Sequence, residues 1–182
     1  MREDIFLAGL GGQGVLVAGQ LLLEAAVKAG LHGAGMPAYL PEVRGGETTF
    51  TVVIADGPVG SPIVGRPHNL LLMDASSVAN HLPRAANGAL AIVNSSLCAP
   101  SDYRQELTLV PVPATELAQQ AGSERAANMV MLGVFLAHKP LLPLDHLVAV
   151  MEQAFAQRPT HVVETNARAI RAGWEAGKAQ SR

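Results

Sequence analysis

The chain has 182 residues, 13 of them basic and 15 acidic, for a formal charge of −2, so it lacks the positive surplus that holds nucleic acid or acidic lipid. Its one cysteine, Cys98, cannot form an internal disulfide, and no Cys/His spacing matches a zinc or iron–sulfur site. Charged residues make up 15% of the chain, against roughly 25% in typical soluble domains; either an alanine-rich composition or a surface covered by partner subunits accounts for that.

The elements follow in chain order. Residues 5–8 read as a short buried strand, and the four-glycine stretch "GLGGQG" leads into a helix over 13–29, with apolar positions Val15, Ala18, Leu22 and Ala25 at helical spacing and Gly30 as its terminator. No charged n-region with an apolar core precedes the first strand, so no targeting signal is predicted, and the longest apolar window, 126–137, is too short for a bilayer. A cytoplasmic, soluble protein is expected. A second extended segment is predicted near 31–36, followed by a loop over 37–47, "PAYLPEVRGGE", whose two prolines and two glycines exclude long regular structure. The β-branched run 48–55 reads as a strand, stopped by Asp56-Gly-Pro, with a return through 59–62 as a hairpin or edge excursion. Strand and helix then alternate: strand 69–75, helix 76–86 kinked at Pro83, strand 88–96, strand 107–113, helix 114–122. Beyond residue 123 the pattern is helical throughout, over 124–138, 144–157 and 162–173, with a frayed end. This predicts a single α/β domain over 1–182, Rossmann-like, with a mainly parallel sheet flanked by helices in 1–122 and a helical part in 123–182.

Gly9-Leu-Gly-Gly-Gln-Gly14 satisfies G-x-G-x-x-G between a strand and a helix. Gly9 permits the sharp turn, Gly11 and Gly12 let backbone N–H groups approach an anion, and Gly14 permits close helix–strand contact. A dinucleotide site also needs an acid about 20 residues on, at the end of the second strand, for the ribose, yet that region, "HGAGMPAYL", holds none, and the next acid after it is Glu42. The turn is therefore either an anion cradle or a packing or interface turn. Gly11, Gly12, Gln13 and Gly14 are candidate anion contacts. Arg44, Gly45 and Gly46 form a second candidate, because a guanidinium followed by two unhindered amides can clamp a carboxylate or phosphate; the other reading is a solvent-exposed turn. Asp74 is either a ligand-facing residue at a strand end or the N-cap announced by "DASS". The six histidines show no ligand spacing, and neither Ser61 nor the Ser95–Ser96 pair sits in a nucleophile elbow. The helix containing "ANMVMLGVFLA" is apolar all round, with Gly133 suited to a close helix crossing and Asn128 as either an anchor or an exposed residue.

The segments "GLGGQGVLVAGQLL", "PAYLPEVRGGETTFTVVIADGPVGSPIV", "NLLLMD", "VPATELAQQAG" and "AANMVMLGVFLA" occur in the order found in gamma subunits of the 2-oxoacid:ferredoxin oxidoreductases, and the chain resembles that family over about three quarters of its length. The resemblance implies a Rossmann-like subunit without NAD. It would dock on alpha, beta and delta subunits that hold thiamine diphosphate and iron–sulfur clusters, in a complex that oxidatively decarboxylates a 2-oxoacid with coenzyme A to acyl-CoA, CO2 and reduced ferredoxin. It implies no catalytic residue, metal or resident cofactor on this chain, and candidate coenzyme A contacts or a subunit interface at Gly11 to Gly14 and at Arg44 to Gly46; the low-charge surface predicts a homodimer when partners are absent. Ala38 and Leu40 stand where serine and glycine are common in the family's loop. The alternative is a free-standing nucleotide-binding or regulatory protein.

Overall fold

The computed structural model describes residues 1–39, 46–98 and 106–181. Strand β1 (Arg2–Leu10) leads through the glycine turn into α1 (Val15–Lys28), followed by β2 (His32–Tyr39) and β3 (Glu47–Ala55). Next come β4 (Asn69–Leu72), α2 (Ala75–His81), a 3₁₀ turn (Leu82–Arg84) and β5 (Leu90–Asn94). The chain then runs through β6 (Thr108–Val112), α3 (Ala114–Ala121), a second 3₁₀ turn (Glu124–Ala126), α4 (Ala127–His138), α5 (Leu144–Ala154) and α6 (Thr160–Gln180). The strands form one mixed sheet in the order β2-β3-β1-β4-β5-β6.

The β1–β4, β4–β5 and β5–β6 pairings are parallel, and β3 runs antiparallel to both β1 and β2. The reason lies in the connections. Residues 40–46 are too few for a crossover, so β2 and β3 must be antiparallel neighbours, whereas β4 reaches β5 through a helix.

Three expectations are corrected. Strand β2 continues through Pro37 to Tyr39, into the stretch read as loop; it is an edge strand, where a missing N–H is tolerated. Residues 57–68 contain no strand, so the expected excursion is absent; Pro58, Pro62 and Pro67 remove ladder donors there. The last helix does not fray near residue 173 but runs to Gln180, whose side-chain amide donates to the Pro111 carbonyl at 3.2 Å.

Side chains alternate across the sheet into two cores. Ile5, Leu7, Phe50, Ile54, Leu71 and Ile92 face a thick layer built from α1, α3, α4, α5 and α6. Phe6, Ala8, Leu70, Leu72 and Val93 face the thinner layer of α2 and its 3₁₀ turn. In the thick layer α4 is buried at every position from Ala127 to Leu136, which explains its lack of a polar face. Its mid-helix glycine does what its position predicts: a Cβ at Gly133 would overlap the Ile170 carbonyl oxygen, and one at Gly173 would overlap the Val130 carbonyl oxygen. The two helices thus meet backbone to backbone.

Gly173→Ala should gain helix propensity, by up to about 1 kcal/mol, yet lose more through the clash, for a net loss of about 2–4 kcal/mol. Gly60→Ala, where a Cβ meets nothing within 4 Å, should change stability by about 0.5 kcal/mol or less. Urea unfolding of both variants measures this; equal midpoints would contradict the packing described.

Candidate functional site

Strand β1 sends its connection, α1, to one face of the sheet, while neighbouring β4 sends α2 to the other. The crevice between their carboxyl ends is the topological switch point, where open α/β sheets bind ligands. The glycine turn occupies one side of it and Asp74 the other.

The turn is held from several directions. The Gly11 N–H donates to the Gly46 carbonyl at 3.1 Å, and the Gln13 N–H donates to the Leu10 carbonyl at 3.1 Å. The Leu10 N–H donates to Gln13 Oε1 at 2.7 Å and to Asp74 Oδ2 at 3.1 Å. Asn128, buried near the start of α4, donates its amide to the Gly14 carbonyl at 3.0 Å. The glycines divide their roles differently from the expectation. The close strand–helix approach belongs to Gly9, where a Cβ would crowd Gln13, Val15 and Met73; Gly14 instead adopts φ 73° and leaves room for the Asn128 amide. Gly12, at φ 93°, faces open space. Two of the candidate amides, those of Gly11 and Gln13, are thus already engaged. No side chain caps α1 and no acidic residue lies in its first turn, so its N-terminal partial positive charge is uncompensated locally.

Asp74 is the N-cap of the two readings its position allowed, and it reaches beyond the cap. Its Oδ1 caps α2, accepting from the Ser76 and Ser77 amides at 3.0 and 3.1 Å, while Oδ2 accepts from the Leu10 N–H and, at 2.9 Å, from the Ser77 hydroxyl. One carboxylate therefore joins α2 to the glycine turn.

A cleft of about 290 Å³ opens beside the turn, lined by Gly12, Gln13, Asn94, Thr115 and Arg125 among others. Arg125, in the second 3₁₀ turn, is exposed and forms no ion pair with a described residue. Nothing local in the sequence marks it, since one arginine beside the Ser123 cap is not distinctive. Asn94 is structural: its amide donates to the Met73 carbonyl, and its oxygen accepts from the Ala114 N–H. Arg44 and Gly45 lie outside the described residues, so the second candidate is represented by Gly46 alone, against the glycine turn. Glu47, which follows it, is half-buried with its Oε2 2.9 Å from His81 Nε2, and the His81 ring packs on Phe6. Cys98 is buried, and burial, reinforced by the negative charge of Asp74, pushes its thiol up to about 11, far from a reactive thiolate. Among the described residues no group of three His, Cys, Asp or Glu side chains is arranged to hold a metal, and no helix is long and apolar enough to cross a membrane.

The family model for pyruvate ferredoxin/flavodoxin oxidoreductase matches residues 4–176. The ketoisovalerate oxidoreductase subunit VorA of Methanothermobacter thermautotrophicus is 40% identical over 131 residues, 72% of this chain and 27% of VorA. The 2-oxoglutarate synthase subunit KorC of the same organism is 31% identical over 183 residues, 96% of this chain and 95% of KorC. A keto/oxoacid ferredoxin oxidoreductase gamma subunit from Geobacter sulfurreducens superposes with a TM-score of 0.84 at 26% identity, over 98% of each chain. The fold also recurs, at TM-score 0.90 and 20% identity, in 2-oxoglutarate:ferredoxin oxidoreductase from Magnetococcus marinus with 2-oxoglutarate, coenzyme A and succinyl-CoA bound; there this chain spans 98% of itself but 31% of the larger polypeptide. The chain thus spans about a quarter of VorA and nearly all of KorC.

Replacing Asp74 by Ala removes the α2 cap and the acceptor of the Leu10 N–H together, and should lower stability by about 1–3 kcal/mol. Asp74→Asn keeps one acceptor oxygen and should lose about half as much. Chemical denaturation of the three proteins gives the comparison; an unaltered Ala variant would mean that the bridge contributes nothing.

Proposed function

Because this chain belongs to the pyruvate ferredoxin/flavodoxin oxidoreductase family, we propose that it is the gamma subunit of a 2-oxoacid:ferredoxin oxidoreductase. The complex would convert a 2-oxoacid and coenzyme A to acyl-CoA and CO2 and pass two electrons to ferredoxin. One observation carries the reading: the end-to-end correspondence with KorC, which covers 96% of this chain and 95% of its relative. The relation to VorA supports the same view, since there the matching region is part of a longer polypeptide.

The chain's own donor set says what it leaves to others. One buried cysteine cannot provide the four thiolates of an iron–sulfur cluster, so the clusters, like thiamine diphosphate, are assigned to the alpha, beta and delta subunits in the cytoplasm. The decarboxylation chemistry is that of thiamine diphosphate held there. What this chain offers is a rigid ledge at the switch point. There the exposed Gly12, the uncapped start of α1 and the exposed Arg125 guanidinium border a cleft suited to an anion. We assign that ledge, together with Arg44, Gly45 and Gly46, to the phosphates of coenzyme A at a subunit junction; the Magnetococcus enzyme, which has coenzyme A bound, supports the choice of ligand. A free-standing dinucleotide-binding protein is disfavoured by the missing ribose acid and by the engaged Gly11 and Gln13 amides.

Purified by a tag from its own cells under anaerobic conditions, the chain should bring down larger subunits containing thiamine and iron–sulfur clusters, with ferredoxin reduction dependent on a 2-oxoacid and coenzyme A. Recovery of the chain alone would defeat the subunit reading. In the intact complex, Arg44→Ala and Arg125→Ala should raise KM for coenzyme A about 10-fold each, leaving KM for the 2-oxoacid unchanged; an unchanged coenzyme A dependence in both would remove the ledge from the coenzyme's path.

A further inference from the structure

A larger cleft, of about 540 Å³, lies at the opposite end of the sheet, at the amino ends of β1, β5 and β6 and beside the last residues of α4. The oxidoreductase reading makes no use of it. Its volume falls within the range of small-molecule sites, and its chemistry is set by Arg2, Glu3, Asp4, His68, His138 and Lys139.

The balance of donors and acceptors there is uneven. Both carboxylates are already engaged: Asp4 accepts from the His68 N–H at 2.7 Å and pairs with its Nδ1 at 2.8 Å, while Glu3 accepts from the Asn69 amide at 2.8 Å. Lys139 forms a loose ion pair with Glu3, at 3.6 Å. The Arg2 guanidinium is exposed and makes no ion pair or hydrogen bond with a described residue. His138 places Nδ1 3.3 Å from the Ser181 hydroxyl, and its buried Nε2 has no partner among the described residues. Glu3 and Asp4 thus engage Lys139, Asn69 and His68, and the cleft keeps two basic groups without a partner among the described residues, the Arg2 guanidinium and His138 Nε2.

We propose that this cleft is a second anion site, binding a small molecule through its carboxylate or phosphate groups. Arg2 supplies a planar fork that can grip such a group in a bidentate manner, Lys139 a point charge, and the imidazoles of His68 and His138 its side wall. Burial pushes the His138 imidazole below its ordinary value, so an anion arriving beside it should pull that value back up. The site lies at the end of the sheet away from the switch point, so occupancy does not compete for the ledge beside the glycine turn.

The test is an NMR titration of the full chain, following the imidazole resonances of His68, His138 and the exposed His161, first with inorganic phosphate and separately with citrate. Saturable shifts at His68 and His138 with His161 unmoved are expected at millimolar concentrations; response to phosphate alone assigns a phosphorylated ligand, response to citrate alone a polycarboxylate. The Arg2→Ala, Lys139→Ala double variant should weaken the response by roughly 10-fold or more, whereas Arg158→Gln, Lys178→Gln, which removes two cations elsewhere, should not. Absence of saturable shifts with both probes, or equal weakening by both double variants, would overturn the proposal.

Discussion

Everything at the switch point depends on how the backbone leaves β1. The Leu10 N–H, the last donor of the strand, is gripped by Asp74 from β4's end and by Gln13 from within the turn. The next amide, Gly11, is taken by the Gly46 carbonyl at the start of β3. The turn is therefore fixed by both strands that flank β1 in the sheet. A turn satisfied in this way has little need of a ligand to hold its shape, and fewer amides to give one.

Helix α4 carries that constraint through the molecule. Asn128 near its first turn fastens the Gly14 carbonyl, Gly133 at its middle lets α6 approach to backbone contact, and His138 at its end enters the cleft on the far side. Twelve residues span about 18 Å, enough to join the two ends of the sheet through one buried rod. The almost uninterrupted apolar sequence of this helix is the consequence: it has neighbours on every side, and the only polar side chain among its buried residues, Asn128, is the one that fastens the turn.

Much of this was legible in the sequence, for identifiable reasons. Apolar spacing located α1, an unbroken apolar run marked α4, and "DASS" announced the α2 cap, because these signals act over a few residues. Gly133 declared a close crossing, since a glycine inside an apolar helix has few other uses. Long-range matters were not legible. The antiparallel insertion of β3 follows from a connection length that the proline-rich stretch disguised, and the reach of α6 to Gln180 depends on Gly177 meeting Val134 of α4. Within the site, the N-cap reading of Asp74 was visible, but its second oxygen answers an amide 64 positions earlier. The division of labour between Gly9 and Gly14 was equally hidden, because it depends on Asn128, 114 positions away. Arg125 lines the cleft beside the turn although 111 positions separate it from Gly14.

The glycine-rich turn, for all its likeness to a dinucleotide cradle, is a structural joint between β1, β3, the end of β4 and α4, and under the proposed function its remaining polarity serves a coenzyme shared with neighbouring chains. Calorimetric titration of the purified chain with NAD and FAD tests this most directly. No saturable binding of either is expected at micromolar concentrations; tight, stoichiometric binding of one of them, abolished by Gly12→Val, would contradict a purely structural turn.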